Sequence, residues 1–151
     1  MVTALNVANN ILGRAFDERN KISPMKLQKM IYFTYKRFFQ KTGVPLFAER
    51  FEVWRYGPVL PTVYNEFKKY RDKPIKSLCY DRDGKAWSVD EGSSTEVHEA
   101  FEFVWTTYKK GNGIELSTLT HQPNTAWFRA YKRSDKFLDD DEIGAEEWLL
   151  L

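Results

Sequence analysis

The stretch from Ser23 to Pro45 constrains this chain more than any other. Ser23-Pro24 is a helix start, because the serine oxygen can accept a free first-turn N–H and proline is already set for the first helical position. The helix predicted from there to about Gln40 carries Leu27, Met30, Ile31, Phe33, Tyr35, Phe38 and Phe39. These side chains fall on more than one face, so a single contact cannot cover them and other elements must surround the helix. Gly43 supplies a left-handed stop, and Pro45 forbids continuation just beyond it.

The rest of the chain has to provide that surround. Residues 4–19 space Leu5, Ala8, Ile11, Leu12, Ala15 and Phe16 as one buried helical stripe with a polar back. Phe51 to Arg55 alternate at period two and predict a short strand, followed by a turn at Tyr56-Gly57-Pro58. Leu60-Pro61 opens a helix to about Tyr70 with Val63, Tyr64 and Phe67 inward. Residues 76–80 and 85–89 flank Asp81-Arg82-Asp83-Gly84 and predict a β-hairpin that places Cys79 mid-strand. Ser93 and Glu96 fit a capping box for a long helix ending at Gly111. Leu116–His121 and Thr125–Tyr131 predict two short helices separated by Pro123, the second capped by Thr125. Acidic Asp139 to Glu142 suit a last helix N-terminus, ahead of Ile143, Trp148, Leu149 and Leu150. Neither internal repeats nor low-complexity linkers interrupt the 151 residues, and the 16% aromatic content supplies bulk for one core. The expectation is a single α+β, mainly α domain over residues 1–151, with a small antiparallel sheet or hairpin.

Charge and composition narrow the function classes. With 23 basic and 21 acidic residues the net charge is +2, which gives no general electrostatic case for nucleic acid or anionic lipid. Lys26, Lys29, Lys36, Arg37 and Lys41 on the second helix, and Lys68, Lys69, Arg71 and Lys73 after the third, are the local exceptions. The balanced charge favours a solvated helix face over a nucleic-acid surface for both groups. One cysteine, Cys79, forms no intramolecular disulfide, and His98 and His121 lack the spacing of a zinc site. A mid-strand Cys79 also lacks the helix N-terminus that would activate a thiol nucleophile. Gly111-Asn112-Gly113 follows a helix rather than a strand, lacks the lysine of a phosphate loop, and reads as a helix terminator. No apolar run has membrane-spanning length and the N-terminus has no signal-peptide pattern, so the cytoplasm is the expected compartment.

Four blocks remain that these rules do not absorb: Lys26-Leu27-Gln28-Lys29-Met30-Ile31-Tyr32, Gly43-Val44-Pro45-Leu46-Phe47, the run from Trp54 through Tyr56-Gly57-Pro58 to Tyr64, and Leu116 to His121 with Trp127. In this order, over about residues 5–131, they resemble the Panacea antitoxin domain family, also described as SocA-like or phage-associated. The chain departs from the family pattern in one place, with Ala126 before Trp127 and the proline earlier, at Pro123. The resemblance implies a mainly helical domain with a small antiparallel sheet, encoded beside small toxin genes in bacterial and prophage genomes. It implies a toxin protein as partner, bound directly or delivered to an ATP-dependent protease, with no cofactor, metal or active site; a phage-associated DNA-binding regulator is the lesser alternative.

Each signature residue also has a structural reading. Gly57 and Pro58 make a tight turn, Trp54 and Tyr56 are core or rim aromatics, and His121 after Thr120 is a buried, satisfied histidine, with a helix-terminal histidine that orients a hydrogen-bond network or meets a partner as the sharper reading. On the resemblance, Trp54, Arg55, Tyr56, Gly57, Pro58, Thr120, His121 and Trp127 are the candidate partner-binding residues.

Overall fold

In the computed structural model, which describes residues 2–151, the helix that starts at Ser23 lies at the centre of the packing. Helix α1 is Ala4–Asp17, capped by Thr3 in a capping box with Asn6. Helix α2 is Pro24–Thr42, capped by Ser23 at one end and by Gly43 (φ 71°) at the other. Strands β1 (Glu52–Trp54) and β2 (Gly57–Val59) pair antiparallel. Then follow α3 (Pro61–Phe67), α4 (Thr95–Tyr108), α5 (Gly113–Thr120), α6 (Ala126–Arg133) and α7 (Asp140–Ala145). The fold class is α+β, mainly α. Helix α2 packs against α1, α3, α4, α5, α7 and β2. Its Leu27, Met30, Ile31, Tyr32, Phe33 and Tyr35 are all buried, whereas Phe38 and Phe39 at its open end are half-buried. A helix that is apolar on several faces is thus used on several faces.

The structure corrects the reading of the basic residues on α2. Lys26, Lys29 and Lys36 are buried rather than solvated. The ammonium of Lys36 donates to Glu146 Oε2 at 2.9 Å and to the Glu147 carbonyl, and lies 4.1 Å from the centre of the Trp148 ring. Glu146 also accepts from the Tyr32 hydroxyl and the Ala126 N–H, each at 2.9 Å. This buried carboxylate therefore joins α2, α6 and the C-terminal segment. Burial lowers the Lys36 pKa and raises that of Tyr32. Trp148 then packs on Phe103 and donates to Gln40, which lays the C-terminal tail along the domain.

The expected hairpin at 76–89 does not form. Its turn survives, with the Asp81 N–H bonded to the Lys85 carbonyl, but neither flank is a strand. Two asparagines of α1 take the backbone groups that strand pairing would have used. Asn9 donates to the Cys79 and Trp87 carbonyls and accepts from the Cys79 N–H, while Asn10 exchanges two bonds with Val89. Cys79 is half-buried, as expected, but in irregular chain.

Smaller differences have local causes. Helix α4 is capped by Ser94, one residue beyond the expected Ser93, because Ser94 accepts from the Val97 N–H. Asn112 is not a terminator residue: it caps α5 in a capping box with Glu115, and Gly113 is that helix's first residue. Phe16 and Tyr64, read as inward, are exposed.

Candidate partner-binding site

The two-residue link between β1 and β2 is Arg55-Tyr56, and Gly57 and Pro58 belong to β2 rather than to the turn. The register pairs Trp54 with Gly57, Val53 with Pro58 and Glu52 with Val59. Gly57 has φ 118°, a conformation that other residues avoid. A Cβ there would stand 2.7 Å from Thr120 Oγ1 and 2.9 Å from Lys29 Cε, so the glycine also permits close approach of α5 and α2.

Side chains from three helices hold this hairpin by its carbonyls. Trp127 Nε1 on α6 donates to the Trp54 carbonyl at 2.8 Å. His121 Nε2, at the end of α5, contacts the Arg55 carbonyl at 2.8 Å, and Ser117 Oγ donates to the Tyr56 carbonyl at 2.5 Å. Lys29 Nζ on α2 donates to the Pro58 carbonyl at 3.2 Å. Gln28 closes the series by exchanging two hydrogen bonds with the Leu60 backbone.

His121 is a bridge. Its Nδ1 faces the Ser117 carbonyl at 2.6 Å while its Nε2 faces the Arg55 carbonyl at 2.8 Å, so one ring spans the end of α5 and the hairpin. The ring packs on Trp127 with centroids 4.0 Å apart, and Trp127 stacks on Tyr131 at 4.9 Å. Thr120 Oγ1 donates to the Ser117 carbonyl at 2.7 Å, which leaves its side chain against Gly57. Lys29 is almost wholly buried with one acceptor, and burial lowers its ammonium to about 7.

The structure thus gathers all eight candidate residues, Trp54, Arg55, Tyr56, Gly57, Pro58, Thr120, His121 and Trp127, around one hairpin. They divide into supports and displayed groups. Gly57, Pro58, Thr120 and Trp127 are buried and fix the backbone, with His121 half-buried beside them. Arg55 and Tyr56 project into solvent, Tyr56 with 57% of its surface exposed and the Arg55 guanidinium 5.5 Å from its ring centre. Trp54, half-buried, packs edge-on against Tyr64 at 4.9 Å. The sequence reading passed over Gln28, Lys29 and Ser117 as supports, although all three lie within its motif blocks. It also passed over exposed Tyr64, packed on Trp54, and exposed Tyr131, stacked on Trp127.

Two other groups could do chemistry. The Cys79 thiol is pushed up to about 11, first by burial and then by Glu66 beside it, so the thiolate is suppressed at neutral pH. Glu91, His98 and Glu102 converge closely enough to hold a cation. Arg14 already bridges the two carboxylates, 2.5 Å from Glu91 and 2.8 Å from Glu102, and so offsets one of their two negative charges within the fold.

Comparison with known proteins adds an independent line. Residues 27–128 match the family described as "Antitoxin SocA-like, Panacea domain". The antitoxin SocA of Caulobacter vibrioides (strain NA1000 / CB15N) is 33% identical over 129 residues, covering 83% of this chain and 69% of that protein. No solved structure matches the chain. The matched span runs from the start of the α2 core to α6, and so contains every residue that holds the hairpin.

Proposed function

This chain belongs to the SocA-like antitoxin family defined by the Panacea domain, and from that premise we propose that it neutralises a toxin protein by direct contact through the Arg55-Tyr56 hairpin face. The observation that carries the reading is the division of labour at the hairpin. Side chains of Lys29, Ser117, His121 and Trp127 tie down four carbonyls, while the side chains of an arginine and a tyrosine at the tip make no hydrogen bond among the described residues.

Trp, Tyr and Arg are the residues that dominate binding energy at protein interfaces. Trp54, Arg55 and Tyr56 supply that composition at the hairpin, with exposed Tyr64 packed on Trp54. A backbone held in place before binding loses little entropy when a partner docks, so more of the contact energy is available for affinity. The function needs no reaction and hence no cofactor. Its partner is a toxin encoded nearby, and the meeting place is the cytoplasm; among the described residues no helix is long and apolar enough to cross a membrane.

The test is co-expression with the product of each flanking gene, scored by growth rescue and co-purification. A stable complex with rescue is the expected result, and Arg55→Glu with Tyr56→Ala should abolish both while the melting temperature stays within about 2 °C. A complex that survives the double variant overturns the assignment of this face. Rescue with loss of the toxin, dependent on an ATP-dependent protease, overturns masking in favour of delivery.

A further inference from the structure

Helix α5 carries the hairpin at its C-terminal end and a second feature at its N-terminal end, about 12 Å along the axis for eight residues. There the starts of α2 and α5 meet so closely that a Cβ on Gly113 would stand 3.1 Å from the Lys26 backbone nitrogen. The cleft beside them has a volume of about 960 Å³, at the upper end for ligand pockets. Six cationic residues line it, Arg19, Lys21, Lys26, Arg71, Lys109 and Lys110, against acidic Asp72 and Glu115.

Not all of these charges are free. Lys26 Nζ donates to Asn20 Oδ1 and the Lys109 carbonyl, Lys109 Nζ pairs with Glu18 at 2.9 Å, and Glu115 accepts from the Asn112 N–H. Arg19, Lys21, Arg71 and Lys110 are exposed and make no ion pair among the described residues. Arg19 (φ 54°) and Arg71 (φ 56°, ψ −117°) also hold positive-φ backbone, a cost that a non-glycine residue meets at both rims of one cleft. Ile114, 73% exposed, adds an apolar surface at the edge.

We propose that this cleft is a docking site for a short acidic segment of a partner protein, with an apolar side chain among its carboxylates. The cleft holds four more positive than negative residues, whereas the whole chain has a net charge of +2, so the chain's excess positive charge is concentrated here. A nucleic acid would meet the same charge but has no aliphatic side chain to offer Ile114, whereas a short acidic segment that carries one meets both the charge and the apolar edge. Ile114 and the half-buried Met25 give the apolar side chain its seat. This docking site is separate from the hairpin face, and its failure leaves that proposal standing.

Fluorescence polarisation with a labelled octapeptide of glutamates around a central leucine tests it, with a glutamine-for-glutamate peptide as control. The acidic peptide should bind at least tenfold more tightly than the control and weaken as salt is raised. The double variant Lys21→Glu/Lys110→Glu should cost at least tenfold in affinity. Arg71→Gly should weaken binding several-fold without loss of melting temperature, since glycine relieves the positive φ while the charge is lost. Tyr56→Ala should leave peptide affinity unchanged. Equal binding of the two peptides, or indifference to charge reversal, overturns the proposal. Tighter binding of a thymidine octanucleotide than of the peptide, with the same charge dependence, overturns the protein partner in favour of nucleic acid.

Discussion

Residues 52–60 and residues 76–90 look alike in sequence, each a stretch of alternating or β-prone residues bent at a glycine or turn. They fold by different means. The first becomes a true two-stranded hairpin, and helices α2, α5 and α6 then grip the carbonyls around its turn. The second closes only its turn, from Asp81 to Lys85, and beyond it Asn9 and Asn10 of α1 hold the backbone groups of Cys79, Trp87 and Val89. Buried backbone groups must find partners, but the partner need not be another strand. What differs is the price of change: the first segment is fixed to the body at nearly every residue, the second at Cys79, Trp87 and Val89.

The sharpest way to break this comparison is to substitute alanine at the two turn-associated glycines. Gly57→Ala forces φ 118° on a Cβ and drives it into Thr120 and Lys29, with an expected loss of about 3–5 kcal/mol by denaturant unfolding. Gly84→Ala also sits at positive φ, 76°, but meets open space, and should cost only about 1–2 kcal/mol. Equal costs would mean that the helices do not grip the first hairpin.

Removing the grips comes next. Asn9→Ala leaves the Cys79 and Trp87 backbone without its partners and should cost about 2–3 kcal/mol, with faster amide exchange confined to residues 76–90. His121→Ala should cost about 1–2 kcal/mol and speed exchange around Arg55-Tyr56 instead. The same substitutions scored by toxin rescue separate the segments by function, because only His121→Ala loosens the proposed binding face.

Lys29 sharpens the comparison through pH. Its ammonium is lowered to about 7 in the fold, while the unfolded chain keeps the ordinary lysine value of about 10.4. Between those values the unfolded chain binds the extra proton, so this group makes stability rise with pH from about 7 towards 10 and withdraws that gain as pH falls through 7. Lys29→Met should flatten that rise in a pH series of denaturant midpoints. The smallest effect is expected at the tip: Arg55→Ala and Tyr56→Ala should change stability by less than about 0.5 kcal/mol, being surface side chains, whatever they do to binding.

The helices were largely legible because their signals are local. Ser23-Pro24, Thr125 and the acidic run from Asp139 act within a few residues of themselves, and each cap forms where the sequence places it. The surplus of aromatic faces on residues 24–40 likewise required a central helix. The candidate site was legible in membership, since its eight residues stand in motif blocks, but not in geometry. Nothing in the order of residues says that His121 reaches the carbonyl of Arg55, sixty-six positions away.

Sequence by itself therefore determined which segments are helical, where most of them start, and which family the chain resembles. Tertiary structure alone decided that three lysines of α2 lie inside, that Gly57 and Pro58 are strand rather than turn, and that residues 76–90 hang from two asparagines. The physical reason is common to all three. A charged or polar group is tolerated in the interior only when a partner is there to meet it. Those partners, Glu146 for Lys36, the Pro58 carbonyl for Lys29 and the Cys79 backbone for Asn9, come from parts of the chain that only folding brings near.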